Sequence, residues 1–464
     1  MHVPPNARGA PKVALSVGFR RVSDERLWSG RRLHLVGVGG AGMSGYARVA
    51  VQLGASVSGS DRADGPALAG LRELGVDVHV GHDAANLPDG PDVEVVYSSA
   101  VGPDNPERVA ARERGLRESP RAHLLAELTA LRRTIAVAGT HGKTTTTSMA
   151  AHVLLGCGMA PAYLIGGALR TTGLNADWGA GEWLVLEADE SDRSMLALDV
   201  DVAVVTNVEL DHHATFGSLA EVRDVFRTFL GDAGQAVLWE RPDVLVLRGG
   251  RPYTGFDAPE PVLEPGGSRF EWRGLEVRVP VPGAHNARNA AAALEACRLA
   301  GADPQRAVAA LADFPGAGRR FETLGETPTG ARVVDDYAHH PTEVAATIAA
   351  ARTLAPRRVV AVFQPHLYSR TARLAREFGE ALATADLPVV LDVYPARERA
   401  EDFPGVSGRL VAEATADAAA GREVLWLPGF DDAERVLRAR LHDGDLCLVL
   451  GAGDVDRLGR RLVG

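Results

Sequence analysis

The stretch Ala138-Gly139-Thr140-His141-Gly142-Lys143-Thr144-Thr145-Thr146-Thr147 follows directly on the apolar run Thr134 to Ala138, and it limits this chain's folds more than any other feature. A Gly-Lys-Thr turn between a buried strand and a helix is a phosphate cradle. Backbone N–H groups wrap the anion, the lysine reaches the outer phosphates, and the threonine hydroxyl can ligate magnesium. Val137 stands where the full pattern has its first glycine, but the working parts remain. Such a strand-to-helix turn belongs to a sheet of parallel strands. Lysine usage points the same way: of 50 basic residues only Lys12 and Lys143 are lysine. Lys143 is therefore expected where a compact ammonium is required and a planar guanidinium would not fit.

A second strand-glycine-helix unit lies upstream. His34-Leu35-Val36-Gly37-Val38-Gly39-Gly40-Ala41-Gly42-Met43 satisfies GxGxxG between the apolar run Leu33 to Val38 and the helical stretch Met43 to Leu53. Asp61, after the strand Ser56 to Gly59, stands where dinucleotide folds place a ribose-binding carboxylate. Taken alone this suits a nicotinamide dinucleotide; a glycine turn that merely packs helix on strand is the other reading. The Rossmann-like half runs to about Ser119. Residues 1–29 lack periodicity and read as a flexible extension, because their apolar patch is short and interrupted by Ser16 and Gly18.

At 464 residues, two to four domains are expected, and 46% hydrophobic with 24% charged residues is an ordinary globular balance. A formal charge of -10 removes the case for a general nucleic-acid binder. Three scattered cysteines match no metal-ligand spacing and suggest a reducing compartment, and no apolar run is long enough for a membrane span. Further strands are predicted at Trp183 to Glu187, Val202 to Thr206, and around Val244 and Val277. Helices are predicted at Leu219 to Leu230, Asn286 to Leu299 and Pro304 to Leu311. A linker is predicted at 314–318, and a last α/β unit follows with strands near Ala331, Val359, Val389 and Leu446. Glu187 ends one of these strands, and Asn207, Asp211 and His212 follow another, so hard oxygen ligands can gather at one sheet edge beside the phosphate loop.

Six segments then occur in one order: His34 to Met43, Gly139 to Thr146, Glu187-Ala-Asp-Glu-Ser-Asp192, Asn207 to His212, Pro282-Gly-Ala-His285-Asn286-Ala-Arg-Asn289, and Asp335-Asp336-Tyr337-Ala-His339-His340-Pro-Thr-Glu343. From about residue 32 to the C-terminus the chain resembles the ATP-dependent Mur ligase family of peptidoglycan synthesis.

That resemblance implies three α/β domains: a Rossmann-like UDP-sugar domain (30–130), a central P-loop ATP domain with a parallel sheet (131–317) and a C-terminal Rossmann-like amino-acid domain (318–464). It assigns Gly37, Gly39, Gly40, Gly42, Met43, Asp61, Ser98 and Ser99 to the UDP-sugar. Gly139, Thr140, His141, Gly142, Lys143, Thr144, Thr145, His285, Asn286, Asn289, Arg320 and Asp336 go to ATP, and Thr144, Glu187 and His212 to Mg2+. Tyr337, His339 and Arg370 go to the amino acid, with Lys143, Glu187, His212, His339 and Arg370 carrying catalysis.

No lysine follows Lys143, so the carbamylated lysine of relatives that add later amino acids is absent, which implies the branch that joins L-alanine to UDP-N-acetylmuramate. The alternative, a recycling ligase for a preformed tripeptide, is disfavoured by the Gly40 to Gly45 stretch. Some relatives carry a second arginine where this chain has Leu367. A cytoplasmic protein, a monomer or weak homodimer with a hinge at 314–318, completes the expectation.

Overall fold

The computed structural model describes residues 27–213 and 215–464. The extension expected over 1–29 lies outside the described residues except at its end, where Trp28 is buried in the first core and its N–H donates to Leu53 O at 2.8 Å.

The first domain is a parallel sheet of β1 (Arg32–Val36), β2 (Ser56–Asp61), β3 (Asp77–Val80), β4 (Val93–Tyr97) and β5 (Arg117–Pro120), in the order β3-β2-β1-β4-β5. The order reverses beside β1, so a crevice opens at the carboxyl ends of β1 and β4. Gly37 and Ser98 meet there.

The second domain's sheet contains β6 (Arg133–Ala138), β7 (Ala162–Leu169), β8 (Leu174–Trp178), β9 (Trp183–Glu187), β10 (Val202–Val205), β11 (Gln235–Trp239) and β12 (Thr254–Phe256), in the order β12-β11-β10-β6-β9-β7-β8. All pairs are parallel except β7–β8. β6, β9 and β10 are apolar almost throughout because helices cover both faces of the sheet. The strand feeding the phosphate loop lies between the two that deliver Glu187 and Thr206, with Val137 in register with Glu187 and Ala138 with Val205. A small antiparallel sheet of β13 (Val262–Glu264), β14 (Gly267–Trp272) and β15 (Leu275–Val279) leads to the alanine-rich helix Ala284–Leu299. That helix packs its buried Ala290 to Ala293 and Ala296 into the core shared with helix Lys143–Gly156. Ala side chains permit the close approach that brings Asn289 against the phosphate loop.

The third domain's sheet runs β16 (Glu322–Glu326), β17 (Arg332–Asp336), β21 (Asp445–Leu450), β18 (Arg358–Phe363), β19 (Leu387–Val390) and β20 (Leu425–Trp426), with only β16 antiparallel.

Two expectations need correction. Val244 lies in the helical turn Pro242–Leu245, not in a strand, because Pro242 presets the first helical position. The 314–318 segment is docked rather than free: Phe314 and Ala317 are buried, and Gly318 N donates to Ala168 O at 2.9 Å. The chain changes direction just after it, where Arg319 (φ 56°) and Phe321 (φ 49°) adopt left-handed backbone.

Candidate active site

The phosphate loop is shaped by two glycines whose neighbours leave no room for a side chain. Gly139 has φ 140°, and a Cβ there would lie 2.0 Å from Thr206 Oγ1; Gly142 has φ 81°, and a Cβ there would lie 2.6 Å from Asn289 Oδ1. Asn207 braces the turn, its Oδ1 accepting from His141 N at 2.9 Å and its Nδ2 donating to His141 O at 3.0 Å. The N–H groups at the start of helix Lys143–Gly156 face outward as an anion cradle.

Lys143 Nζ donates to both oxygens of Glu190, at 3.0 and 2.9 Å. Burial works against its charge, but Glu190 and Asp189 outweigh it and raise the lysine pKa. Asp189 also opposes a burial penalty: Arg121 and Lys143 hold its carboxyl well below the usual range. For Glu187 the balance is reversed: burial outweighs the opposing pull of Arg320 and Lys143. Glu187 Oε2 accepts from Thr144 Oγ1 at 3.1 Å and its Oε1 from Gly166 N at 2.6 Å, and burial raises its pKa. A half-buried carboxylate beside a hydroxyl is a hard-oxygen pair that suits Mg2+. His212 contacts Glu190 (3.4 Å) and Asp211 (3.8 Å) instead, and an imidazole suits magnesium less well.

Two cavities meet at the loop. One of about 340 Å³ gathers Gly42, Thr140, Gly142, Lys143, Thr144, Glu187 and His212 with Arg320, Tyr337, His339 and Arg370, so all three domains contribute. The other, of about 310 Å³, gathers His141, Thr145, His285, Asn286 and Asn289 with Arg320 and Asp336 between the second and third domains. Asp336 is pushed up to about 6 by burial, and its carboxylate accepts from Phe321 N and Ala338 N, both at 2.8 Å. His285 is pushed down to about 4, first by burial and then by Arg288. Trp239, not anticipated from sequence, lines this cavity between the guanidinium groups of Arg241 (4.6 Å) and Arg288 (4.9 Å).

His141 bridges the domains. Its Nε2 lies 3.2 Å from Glu209 on the second domain and its Nδ1 3.2 Å from Glu343 on the third. Burial disfavours the imidazolium, yet these two carboxylates raise its pKa to about 9. His141, Glu209 and His340 also form the one group with metal-ligand geometry among the described residues. The charged imidazole already neutralises it.

His339 is pushed down to about 4 by burial and is neutral. Its Nδ1 donates to Tyr337 O at 3.0 Å, which leaves Nε2 with a free lone pair. Arg370 is not free for a ligand carboxylate: its Nε and Nη2 donate to Asp211, and Nη1 lies 3.2 Å from His366 Nδ1.

Of the residues expected to hold the UDP-sugar, the glycine turn, Asp61 and Ser98 gather at the carboxyl end of β1, and only Gly42 lines the larger cavity. Met43 is buried in the first core, and Asp61 accepts from Gly39 N at 2.8 Å, bracing the glycine turn. Gly37 and Ser98 share the crevice between β1 and β4, while Gly40 and Ser99 are exposed. Sequence reasoning missed Glu190, Glu343 and Arg121 as site residues; Glu190 and Glu343 stood inside quoted motifs, and Arg121 had no local signal.

The sequence matches three family profiles: "Mur ligase family, catalytic domain" over residues 32–133, "Mur ligase middle domain" over 137–243 and "Mur ligase, glutamate ligase domain" over 319–453. It is 44% identical to the UDP-N-acetylmuramate--L-alanine ligase of Mycobacterium sp. (strain JLS), covering 93% of this chain and 94% of that one. With the enzyme of the same name from Thermobifida fusca (strain YX) the identity is 45%, covering 93% and 96%. Among solved structures, the UDP-N-acetylmuramate-alanine ligase of Thermotoga maritima superposes with a TM-score of 0.80 at 29% identity, covering 93% of this chain and 98% of that one. A murein peptide ligase from Psychrobacter arcticus superposes with a TM-score of 0.71 at 25% identity, with the same coverage.

Proposed function

The chain belongs to the Mur ligase family, and from that premise we propose that it joins L-alanine to the lactyl carboxylate of UDP-N-acetylmuramate at the expense of ATP. The observation that carries this reading is the convergence of Lys143, Glu187 and Thr144 with third-domain His339 and Arg320 around one cavity that also reaches the first domain's glycine turn. The 44–45% identity to enzymes named for L-alanine addition favours alanine over a preformed tripeptide.

The reaction has two steps. A lactyl carboxylate oxygen attacks the γ-phosphorus of ATP, the bond to the bridging oxygen breaks, and ADP leaves an acyl phosphate behind. The alanine amine then attacks the acyl carbon, loses a proton, and inorganic phosphate departs. The adenosine portion fits the smaller cavity, with His285, Asn286 and Asn289 along one wall and Asp336 and Arg320 on the other. The loop N–H groups cradle the phosphates, and Lys143 turns from Glu190 to the transferring group, whose charge it neutralises. Thr144 and Glu187 would hold Mg2+, which when bound supplies charge neutralisation on the phosphate oxygens. Neutral His339, with Nε2 free, is placed to take the amine proton. The protein's main contribution is positioning, because three substrates held by three domains must meet in line. The UDP diphosphate is assigned to the glycine turn at 37–42. We further propose that the enzyme works in the cytoplasm as a monomer or weak homodimer; among the described residues no helix is long and apolar enough to cross a membrane.

The test is phosphate release by purified protein with ATP and Mg2+. Release that requires both UDP-N-acetylmuramate and L-alanine, with the amide identified by mass, is expected. Release that needs the UDP-sugar but is indifferent to alanine would redirect the amine assignment, and no release with any mixture would overturn the reading.

A further inference from the structure

We propose that Arg397 holds the carboxylate of the incoming amino acid, an assignment that rests on the ligase reading above.

An amino-acid carboxylate in a cleft needs a fixed cation with free N–H groups. Five lysine and arginine side chains line the larger cavity: Arg121, Lys143, Arg320, Arg370 and Arg397. Arg121 pairs with Asp189 and Asp192, and Lys143 with Glu190. Arg320 lines the nucleotide cavity as well and donates to Thr144 Oγ1. Arg370 spends one edge of its guanidinium on Asp211 and turns Nη1 to His366. Among the described residues, Arg397 alone of the five has no hydrogen bond or ion pair, and its side chain is exposed to the cavity mouth. Nearby histidines do not supply the charge, since burial keeps His366 at about 3 and His339 at about 4. Leu367, between His366 and the helix that carries Arg370, gives the same wall an apolar surface.

The loop carrying Arg397 is fastened to that wall at both ends. Tyr394 N donates to Pro365 O at 2.8 Å, and Leu367 N donates to Tyr394 O at 3.0 Å. The Tyr394 ring stacks on His366 at 5.8 Å. Beyond Arg397, the Glu398 carboxylate accepts from Ser369 N at 2.9 Å and from Ser369 Oγ, so the neighbouring negative charge is already engaged at the helix start. Ala396, just before Arg397, holds φ at 50°, a left-handed conformation that costs a non-glycine residue and persists only where its surroundings impose it. The loop thus brings an unpaired planar fork to the cavity that His339 and Leu367 also line, which suits bidentate capture of a carboxylate.

Steady-state kinetics of full-length wild type, Arg397→Gln and Arg397→Lys test this, with L-alanine and L-alaninamide as alternative acceptors. Arg397→Gln should raise the KM for L-alanine by about 10- to 100-fold, as expected for loss of a charge-assisted pair. Its kcat and its KM for ATP and the UDP-sugar should stay within about threefold, and Arg397→Lys should recover part of the loss. Wild type should prefer L-alanine to L-alaninamide, and that preference should collapse in Arg397→Gln. An alanine KM within about twofold of wild type, or equal losses for acid and amide, would overturn the assignment. A wild-type enzyme that uses neither acceptor would instead overturn the ligase reading beneath it.

Discussion

Arg370 on the third domain grips Asp211 on the second through hydrogen bonds of 2.9 to 3.1 Å, with 4% and 3% of the two side chains exposed. This pair ties the helix Tyr368–Leu382 to the loop that follows β10, and so holds the third domain against the second. Removing one partner of a buried ion pair costs about 3–5 kcal/mol because the other charge is stranded. Arg370→Ala is therefore expected to lower thermal stability and to weaken ATP and alanine dependence together. An effect confined to the alanine KM, measured by steady-state kinetics, would return Arg370 to the alanine site. A double-mutant cycle with Asp211→Asn should show strong coupling.

Lys143→Ala should reduce ligation by at least about 100-fold while leaving UDP-sugar affinity near wild type, as titration calorimetry can report. The variant also strands the buried Glu190. Combining it with Glu190→Gln should restore thermal stability without restoring phosphate release, which separates the lysine's structural role from its chemical one.

Glu187→Gln keeps the size of the side chain and removes its charge. The Mg2+ concentration for half-maximal activity should rise by about tenfold or more. Thr144→Val should move the same midpoint in the same direction. Chelation of the divalent cation should abolish phosphate release in wild type, and an unchanged metal midpoint in both variants would remove these residues from the metal site.

His141 gives the enzyme a pH dependence of known sign. Its pKa is raised from 6.5 to about 9 by Glu209 and Glu343, against the opposing burial. A cation stabilised in this way contributes fully below about pH 6.5 and loses its contribution as the pH rises through 9. The second and third domains should therefore separate more readily, and the thermal midpoint should fall, between pH 6.5 and about 9. His141→Asn should flatten that slope; a slope identical to wild type would mean the bridge contributes nothing.

Much of the fold was legible because its signals are local. Apolar runs of strand length marked β1, β6, β9, β10, β18 and β21, glycine turns after β1 and β6 marked the handover to helices, and the lysine bias singled out Lys143. Other features misled for equally local reasons. The Phe-Pro-Gly-Ala-Gly stretch has linker composition, yet Ala317 bridges to Leu169 and the segment lies against β7. In Glu187-Ala-Asp-Glu-Ser-Asp192 every carboxylate looks alike in sequence, but Glu187 meets Thr144, Glu190 meets Lys143, and Asp189 and Asp192 meet Arg121.

The sequence by itself determined where strands hand over to helices and where a phosphate can be cradled, because backbone freedom at Gly139 and Gly142 and the periodicity of buried strands are properties of short segments. Only the tertiary structure decided which charges neutralise one another. Asp211 finds Arg370 at 159 residues' distance and His141 finds Glu343 at 202. Coulomb attraction is long-ranged and does not distinguish one arginine from another; burial and domain packing select the pairs, and by doing so leave Arg397 unpaired at the mouth of the cavity.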